Sequence, residues 1–204
     1  MTVLTTARLR LEPLSDIHFD GFHAMNADPE VMRYLSGQPE TPEQTRAVIE
    51  RVKGVWASTG YSWFAFMARD TGELVGAGCL QNLRREAQPL PDRDCPLELG
   101  WRLRREHWGK GYASEAAHAL GDHAFDALEP DEVLAVCHPK NAGSAAVMKR
   151  IGMTPAGLQR WYGQDLMTYR ISTEDWQARR AERQGVDAAR LAAASSRLKL
   201  NAAV

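Results

Sequence analysis

The stretch that most limits how this chain can fold runs from Leu97 to Leu128. Leu97, Leu99, Trp101 and Leu103 alternate with Glu98, Gly100 and Arg102, the period-two pattern of a strand with one apolar face. A turn with glycines at 109 and 111 follows. Apolar residues then recur at Ala113, Ala116, Ala117, Leu120, Ala124 and Leu128, the stripe of a helix lying on a sheet. Strand, glycine turn and helix in this order form an anion cradle. Gly109 and Gly111 can take positive φ, so that backbone N–H groups converge while the new helix offers its unpaired N-terminal donors and the positive end of its dipole.

The chain around this unit reads as one mixed α/β domain. Residues 8–13 alternate as a first strand, Ser15 caps a helix to about Asn26, Asp28-Pro29 starts another, and Thr41-Pro42-Glu43-Gln44 opens a third with a capping box. Ser62–Arg69 and Glu73–Leu80 flank Asp70-Thr71-Gly72, which predicts a β-hairpin. Residues 84–96 are polar and proline-rich and read as a loop. Val133–Cys137 is a short buried strand, Asn141 caps a helix closed by Gly152, and two more strands follow at Pro155–Arg160 and Leu166–Ser172. Early antiparallel pairs and one late parallel crossover predict an α+β or mixed α/β sheet and exclude a doubly wound one. Residues 177–204, with six basic and two acidic side chains, read as an Ala/Arg-rich extension that is partly helical or disordered.

The net charge of −1 gives no global field for nucleic acid, and the apolar runs are too short for a membrane span. Cys79, Cys95 and Cys137 have no CxxC spacing, which excludes a zinc knuckle and a disulfide framework. His18, His23, His107, His118 and His123 show no i,i+4 ligand spacing, so no metal is expected. A cytoplasmic protein is the expectation.

Neither common nucleotide signature fits the cradle. Lys110 lies between the glycines instead of before a hydroxyl residue, and Ser114 replaces the third glycine of a dinucleotide turn. The runs Glu98 to Leu103, Trp108 to Ala116, Asn141-Ala142-Gly143-Ser144 and Met148 to Met153 instead closely resemble the GNAT acetyltransferase superfamily. Leu4 to Leu11 and Asp28 to Met32 resemble its branch acting on the N-termini of ribosomal proteins. The resemblance covers about residues 3–176. Glu106 stands where the family's phosphate motif has Gln or Arg, which leaves the backbone cradle untouched.

This resemblance implies a mostly antiparallel sheet of about seven strands, splayed into a wedge between the fourth and fifth, with Gly100 as the bulge residue. It implies acetyl-CoA as donor, without a metal. The cofactor contacts it implies are Leu99, Trp101 and Leu103 of the wedge strand, Trp108, Gly109, Lys110, Gly111, Tyr112, Ala113 and Ser114 of the cradle, and Asn141, Ser144 and Lys149 of the next helix. A backbone N–H near Leu99 to Trp101 would stabilise the oxyanion.

For the base, Glu98 on the polar face of the wedge strand comes first and His138 second. An α-amine of pKa about 7.9 is roughly a tenth neutral at pH 7, so a weak base suffices for an N-terminus. Met148 stands where many members carry a tyrosine acid, which leaves Ser144 as the candidate proton donor. Trp161 to Asp165 and the region from Met25 to Gln38 are expected to choose the acceptor. That acceptor is a protein N-terminal amine or a small-molecule amine; a non-catalytic acyl-CoA-binding module is the third reading. A homodimer is a further expectation.

Overall fold

The structure is a computed structural model and describes residues 2–87 and 92–186. Eight strands form one sheet in the order β1-β2-β3-β4-β5-β6-β8-β7. They are β1 (Leu4–Thr5), β2 (Leu9–Pro13), β3 (Trp63–Ala68), β4 (Leu74–Asn82), β5 (Leu97–Leu103), β6 (Glu132–Cys137), β7 (Thr154–Trp161) and β8 (Gln164–Ser172). All neighbours are antiparallel except β5 and β6. The architecture is the mixed α/β sheet expected. The two-residue β1 on the edge raises the count from about seven to eight, so the wedge lies between the fifth and sixth strands.

Helices cover both faces. They are α1 (Phe19–Asn26), α2 (Pro29–Met32), α3 (Pro42–Thr59), α4 (Tyr112–Ala127), α5 (Ala142–Arg150) and α6 (residues 173–186). Local chemistry sets most of their starts. Thr41 and Gln44 complete the reciprocal capping box, Asp28 accepts from the Glu30 N–H ahead of Pro29, and Asn141 accepts from the Ser144 N–H. The segment after Ser15 departs from a simple helix. It begins as a 3-10 turn over Asp16–His18, in which His18 Nδ1 accepts the Ser15 N–H at 3.0 Å.

The pleat sorts β5 between two cores. Leu97, Leu99 and Leu103 pack with Ala116, Ala117, Leu120 and Ala124 of α4. Phe22, Met25, Ile49 and Val52 pack with Ala65 and Ala77 on the opposite face. Successive strand residues point to opposite faces, so Glu98, Gly100 and Arg102 face the α1–α3 side. Each fully buried leucine such as Leu120 contributes about 1.5–3 kcal/mol.

Helix α6 joins the first core. Trp176 is fully buried, and its ring lies so close to Gly121 that a Cβ there would meet Cη2 at 2.4 Å. Its indole N–H reaches Asp122 at 2.9 Å, and Arg180 reaches Asp126 at 2.6 Å. The part of the expected extension from 187 to 204 lies outside the described residues. Among the described residues, no helix is long and apolar enough to cross a membrane.

Candidate active site

Strand β6 follows β8 and leaves β5. It pairs with β8 at six positions, from Glu132↔Ser172 to Cys137↔Met167, but with β5 only at Leu97↔Val133 and Glu98↔Leu134. Beyond Glu98 the β6-facing edge of β5 has no ladder partner. A cleft of about 470 Å³ opens there, lined by Trp101, Leu103 and Trp108 on one side and by Asn141, Ser144 and Val147 on the other. Tyr34 and Leu35, just after α2, roof it. Gly100 is not the bulge expected from the sequence, because the β4–β5 register runs unbroken from Gly76↔Leu103 to Asn82↔Leu97. The strand diverges because its neighbour is bonded elsewhere. Gly100 serves close packing instead: a Cβ there would lie 2.8 Å from Cys79 Sγ.

The cradle stands at the mouth of the cleft. Gly109 has φ +73 and Gly111, the N-cap of α4, has φ +83. The first backbone bond of α4 runs from the Glu115 N–H to the Gly111 carbonyl at 3.1 Å, so the N–H groups of Tyr112, Ala113 and Ser114 have no partner inside the helix. The Trp108 indole donates to the Leu103 carbonyl at 2.9 Å and ties the turn to β5. Lys110 is exposed. Arg150 reaches Ser114 Oγ at 3.0 Å, whereas Lys149 beside it is exposed. These free donors and basic side chains suit a phosphate-bearing ligand.

A strap that the sequence analysis did not identify fixes this turn. The Glu115 carboxylate accepts from Thr6 Oγ1 at 2.6 Å, from the Arg8 N–H at 2.8 Å and from Arg8 Nε at 2.7 Å. Arg8 also reaches the Lys110 carbonyl at 2.9 Å and lies over the Tyr112 ring.

Glu98 sits at the vertex of the wedge and is buried. Its Oε2 accepts from the Tyr162 hydroxyl and from Gln81 Nε2, the latter at 3.0 Å. Oε1 accepts no hydrogen bond among the described residues and lies 3.9 Å from where a Gly100 Cβ would be. Burial raises the pKa of Glu98, against the pull of the bonds from Tyr162 and Gln81 and of the Arg84 and Arg102 charges. Burial and the Glu98 charge push the Tyr162 phenol above its usual range, so it stays protonated and donates. The carboxylate is therefore clamped through one oxygen and open through the other.

The remaining candidates fall on the cleft walls. His138 stacks on Tyr34 at 5.3 Å between ring centroids, and its Nδ1 accepts the Lys140 N–H at 3.1 Å. Four residues of strand separate it from Leu134, opposite Glu98, or about 13 Å. With Nδ1 occupied, the lone pair a base would use is engaged. The Ser144 N–H is capped by Asn141 at 3.1 Å, and its side chain lines the cleft. Met148 is buried in the core beneath.

Tyr162 lies in the expected acceptor-side turn. Tyr162 and Gly163, both at positive φ, form the two-residue connection of the β7–β8 hairpin. Their N–H groups donate to the Arg84 and Arg85 carbonyls at 2.8 and 2.9 Å. On the same face, Arg102 donates to Asn26 at 3.0 Å, and Asn26 donates to Glu40 at 2.9 Å, which secures the Met25 to Gln38 region. Among the described residues, Glu73, Glu106 and His107 bring ligand-type atoms within 4.8 Å. Arg104 bridges both of those carboxylates, at 2.5 and 2.6 Å.

Residues 8–154 match the family described as Acetyltransferase (GNAT) domain. The chain is 30% identical over 188 residues to the FsC-acetyl coenzyme A-N(2)-transacetylase of Aspergillus fumigatus, covering 85% of this chain and 77% of that one. The crystal structure of an acetyltransferase from Agrobacterium tumefaciens superposes with a TM-score of 0.70 at 32% identity, covering 84% of this chain and 94% of that one. The ribosomal-protein-S5-alanine acetyltransferase of Vibrio fischeri superposes with a TM-score of 0.67, covering 86% and 99%. At 15% identity, that likeness shows the fold alone.

Proposed function

The chain belongs to the GNAT acetyltransferase family, and on that premise we propose that it moves the acetyl group of acetyl-CoA directly to a protein N-terminal α-amine. The family uses acetyl-CoA and an amine acceptor; the choice of an N-terminal acceptor is our reading. The observation that carries it is Glu98, a buried carboxylate clamped through Oε2 and open through Oε1.

Each step falls to residues already placed. The N–H groups at the start of α4, with Gly109 and Gly111, hold the pyrophosphate, and the unpaired edge of β5 holds the pantetheine arm. The bound thioester supplies an acetyl carbon open to attack. The acceptor amine loses its proton to Glu98 Oε1 through a water. A carboxyl raised by burial takes this proton more readily than an exposed one. An α-amine of pKa about 7.9 asks little of it, whereas a lysine of about 10.4 asks far more. A β5 backbone N–H between Leu99 and Trp101 faces the developing oxyanion. The Ser144 hydroxyl, in the cleft wall, donates toward the departing sulfur. All three cysteines are free, in keeping with a reducing cytoplasm.

A small-molecule amine is the second reading, favoured by the 30% identity to an enzyme whose name specifies an N(2) nitrogen. Thiol release from acetyl-CoA with Ala-, Ser-, Asp- and Glu-starting peptides beside a panel of small amines tests both. Turnover of at least one peptide is expected, and turnover of small amines alone would replace the first reading by the second. Glu98→Gln should lower kcat at pH 7 by about a hundredfold, in the range of general-base catalysis; full activity would remove Glu98 from the role.

A further inference from the structure

Among the described residues, Arg84 stands out beside this site as a cation without an anion. Its guanidinium lies over the Tyr162 ring, 4.6 Å from the centroid. It makes no hydrogen bond or ion pair among the described residues, and its Nε is shut off from solvent with no partner. A buried donor left unmade costs free energy, so an orphan of this kind needs an explanation. The Arg84 charge acts on Glu98, whose Oε2 is already taken by Tyr162 and Gln81.

The position is held by design of the turn. The Arg84 carbonyl accepts the Tyr162 N–H at 2.8 Å, so the guanidinium and the phenol that orients the base are fixed to one another. The guanidinium therefore lies on the face of the same ring whose hydroxyl holds the Glu98 carboxylate. Burial and then the Arg84 charge lower the Arg51 pKa, with the Glu40 charge acting the other way.

We infer that the acceptor carries a carboxylate close to its amine, and that Arg84 receives it. With the amine at Glu98 Oε1, an anion that reaches Arg84 on the face of the same phenol corresponds to the side chain of an N-terminal Asp or Glu or to the α-carboxylate of a free amino acid. Both present the same planar anion to a guanidinium fork. Arg84 is a specificity residue in this scheme, and the inference rests on the amine-acetylating reading above.

The test measures equilibrium binding to the CoA-saturated full-length protein with two matched pairs: Asp-Ala-Ala amide against Asn-Ala-Ala amide, and alanine against alaninamide. The carboxylate-bearing member of at least one pair should bind about ten- to a hundredfold tighter, the worth of one charge-assisted pair. Arg84→Gln should bring that gap to within about twofold, and Arg84→Lys should restore part of it. A gap in the peptide pair alone assigns the carboxylate to an acidic N-terminus, and a gap in the amino-acid pair alone assigns it to a free amino acid. Equal binding within both pairs, or a gap that survives Arg84→Gln, overturns the inference. Failure of the acetylation reading would look different: no thiol release with any amine while the binding gap stands.

Discussion

Replacing Glu115 by Gln tests the strap that holds the cradle. The carboxylate accepts from Thr6 Oγ1 at 2.6 Å, from the Arg8 N–H at 2.8 Å, and from Arg8 Nε and Nη2 at 2.7 and 2.6 Å. The glutamine keeps an oxygen for the first two donors and sets an NH2 group against the guanidinium. Hydrogen bonds to charged groups are worth about 1.5–3 kcal/mol each. Arg8 is 46% exposed, however, so its ion pair falls in the surface range of about 0.2–1 kcal/mol. Adding the lost charge assistance at Thr6 and the Arg8 N–H gives about 2 kcal/mol in all. For a chain of this size that lowers Tm by about 4–8 °C.

The pH dependence carries a sign. Burial tends to raise the Glu115 carboxyl, but the bonds from Thr6 and Arg8 outweigh it and its pKa is lowered. Its contribution is then complete above the unfolded value near pH 4.3 and disappears as pH falls through the folded one. Thermal melts followed by circular dichroism at pH 7 and at steps down to pH 3 should show a gap that closes with acid. CoA affinity should fall too, because Arg8 also holds the Lys110 carbonyl. Equal melting at pH 7, or a gap that persists in acid, would refute the strap.

Three further outcomes follow from the geometry. Tyr162→Phe removes a bond that lowers the Glu98 pKa, so the acidic limb of kcat/KM against pH should move to higher pH, with kcat at pH 7 down about tenfold; an unmoved limb counts against the clamp. Gly111→Val places a β-branched residue at φ +83 in an exposed turn, and calorimetry should show CoA affinity reduced about a hundredfold with only about 1–2 kcal/mol lost from the fold. Unchanged affinity would refute the cradle. Burial, then the Arg183 charge, lowers the His118 pKa to about 4, so the native state resists its protonation and stability should decline as pH falls from 6.5 toward 4. His118→Gln should flatten denaturant-measured stability over that interval, and an unchanged slope would show that other groups dominate.

Much of the fold was legible because its signals are local. Thr41, Asp28 and Asn141 cap where their side chains dictate, the hairpin joining β3 and β4 forms around Gly72, and the strand–turn–helix unit appears as written. The wedge was expected, but its cause was not. Gly100 carries the composition of a bulge, yet the divergence arises from the preference of β6 for β8, a pairing of residues thirty to forty apart in sequence. The site divides the same way. Alternation places Glu98 on the polar face of its strand, the family resemblance makes that strand the wedge, and strand spacing locates the Tyr162-Gly163 turn. Their mutual contact spans 64 residues, and the Thr6–Glu115 bond spans 109. No local pattern encodes which side chains a distant turn will meet, so Tyr162, Gln81, Arg84 and Arg8 took their roles only in three dimensions.

The two-rung contact between β5 and β6 divides the sheet into blocks of five and three strands, with a seam where they meet. The covalent crossover through α4 spans that seam on one face. The β7–β8 turn crosses it on the other, through Tyr162 to Glu98 and through its backbone to Arg84 and Arg85. A donor lodged in the opening would act as a keystone, meeting the edge amides of one block and the first turn of the helix that follows the other. Chemistry and mechanical closure then share a joint, and the side chains proposed to prepare the amine also hold the two blocks in register.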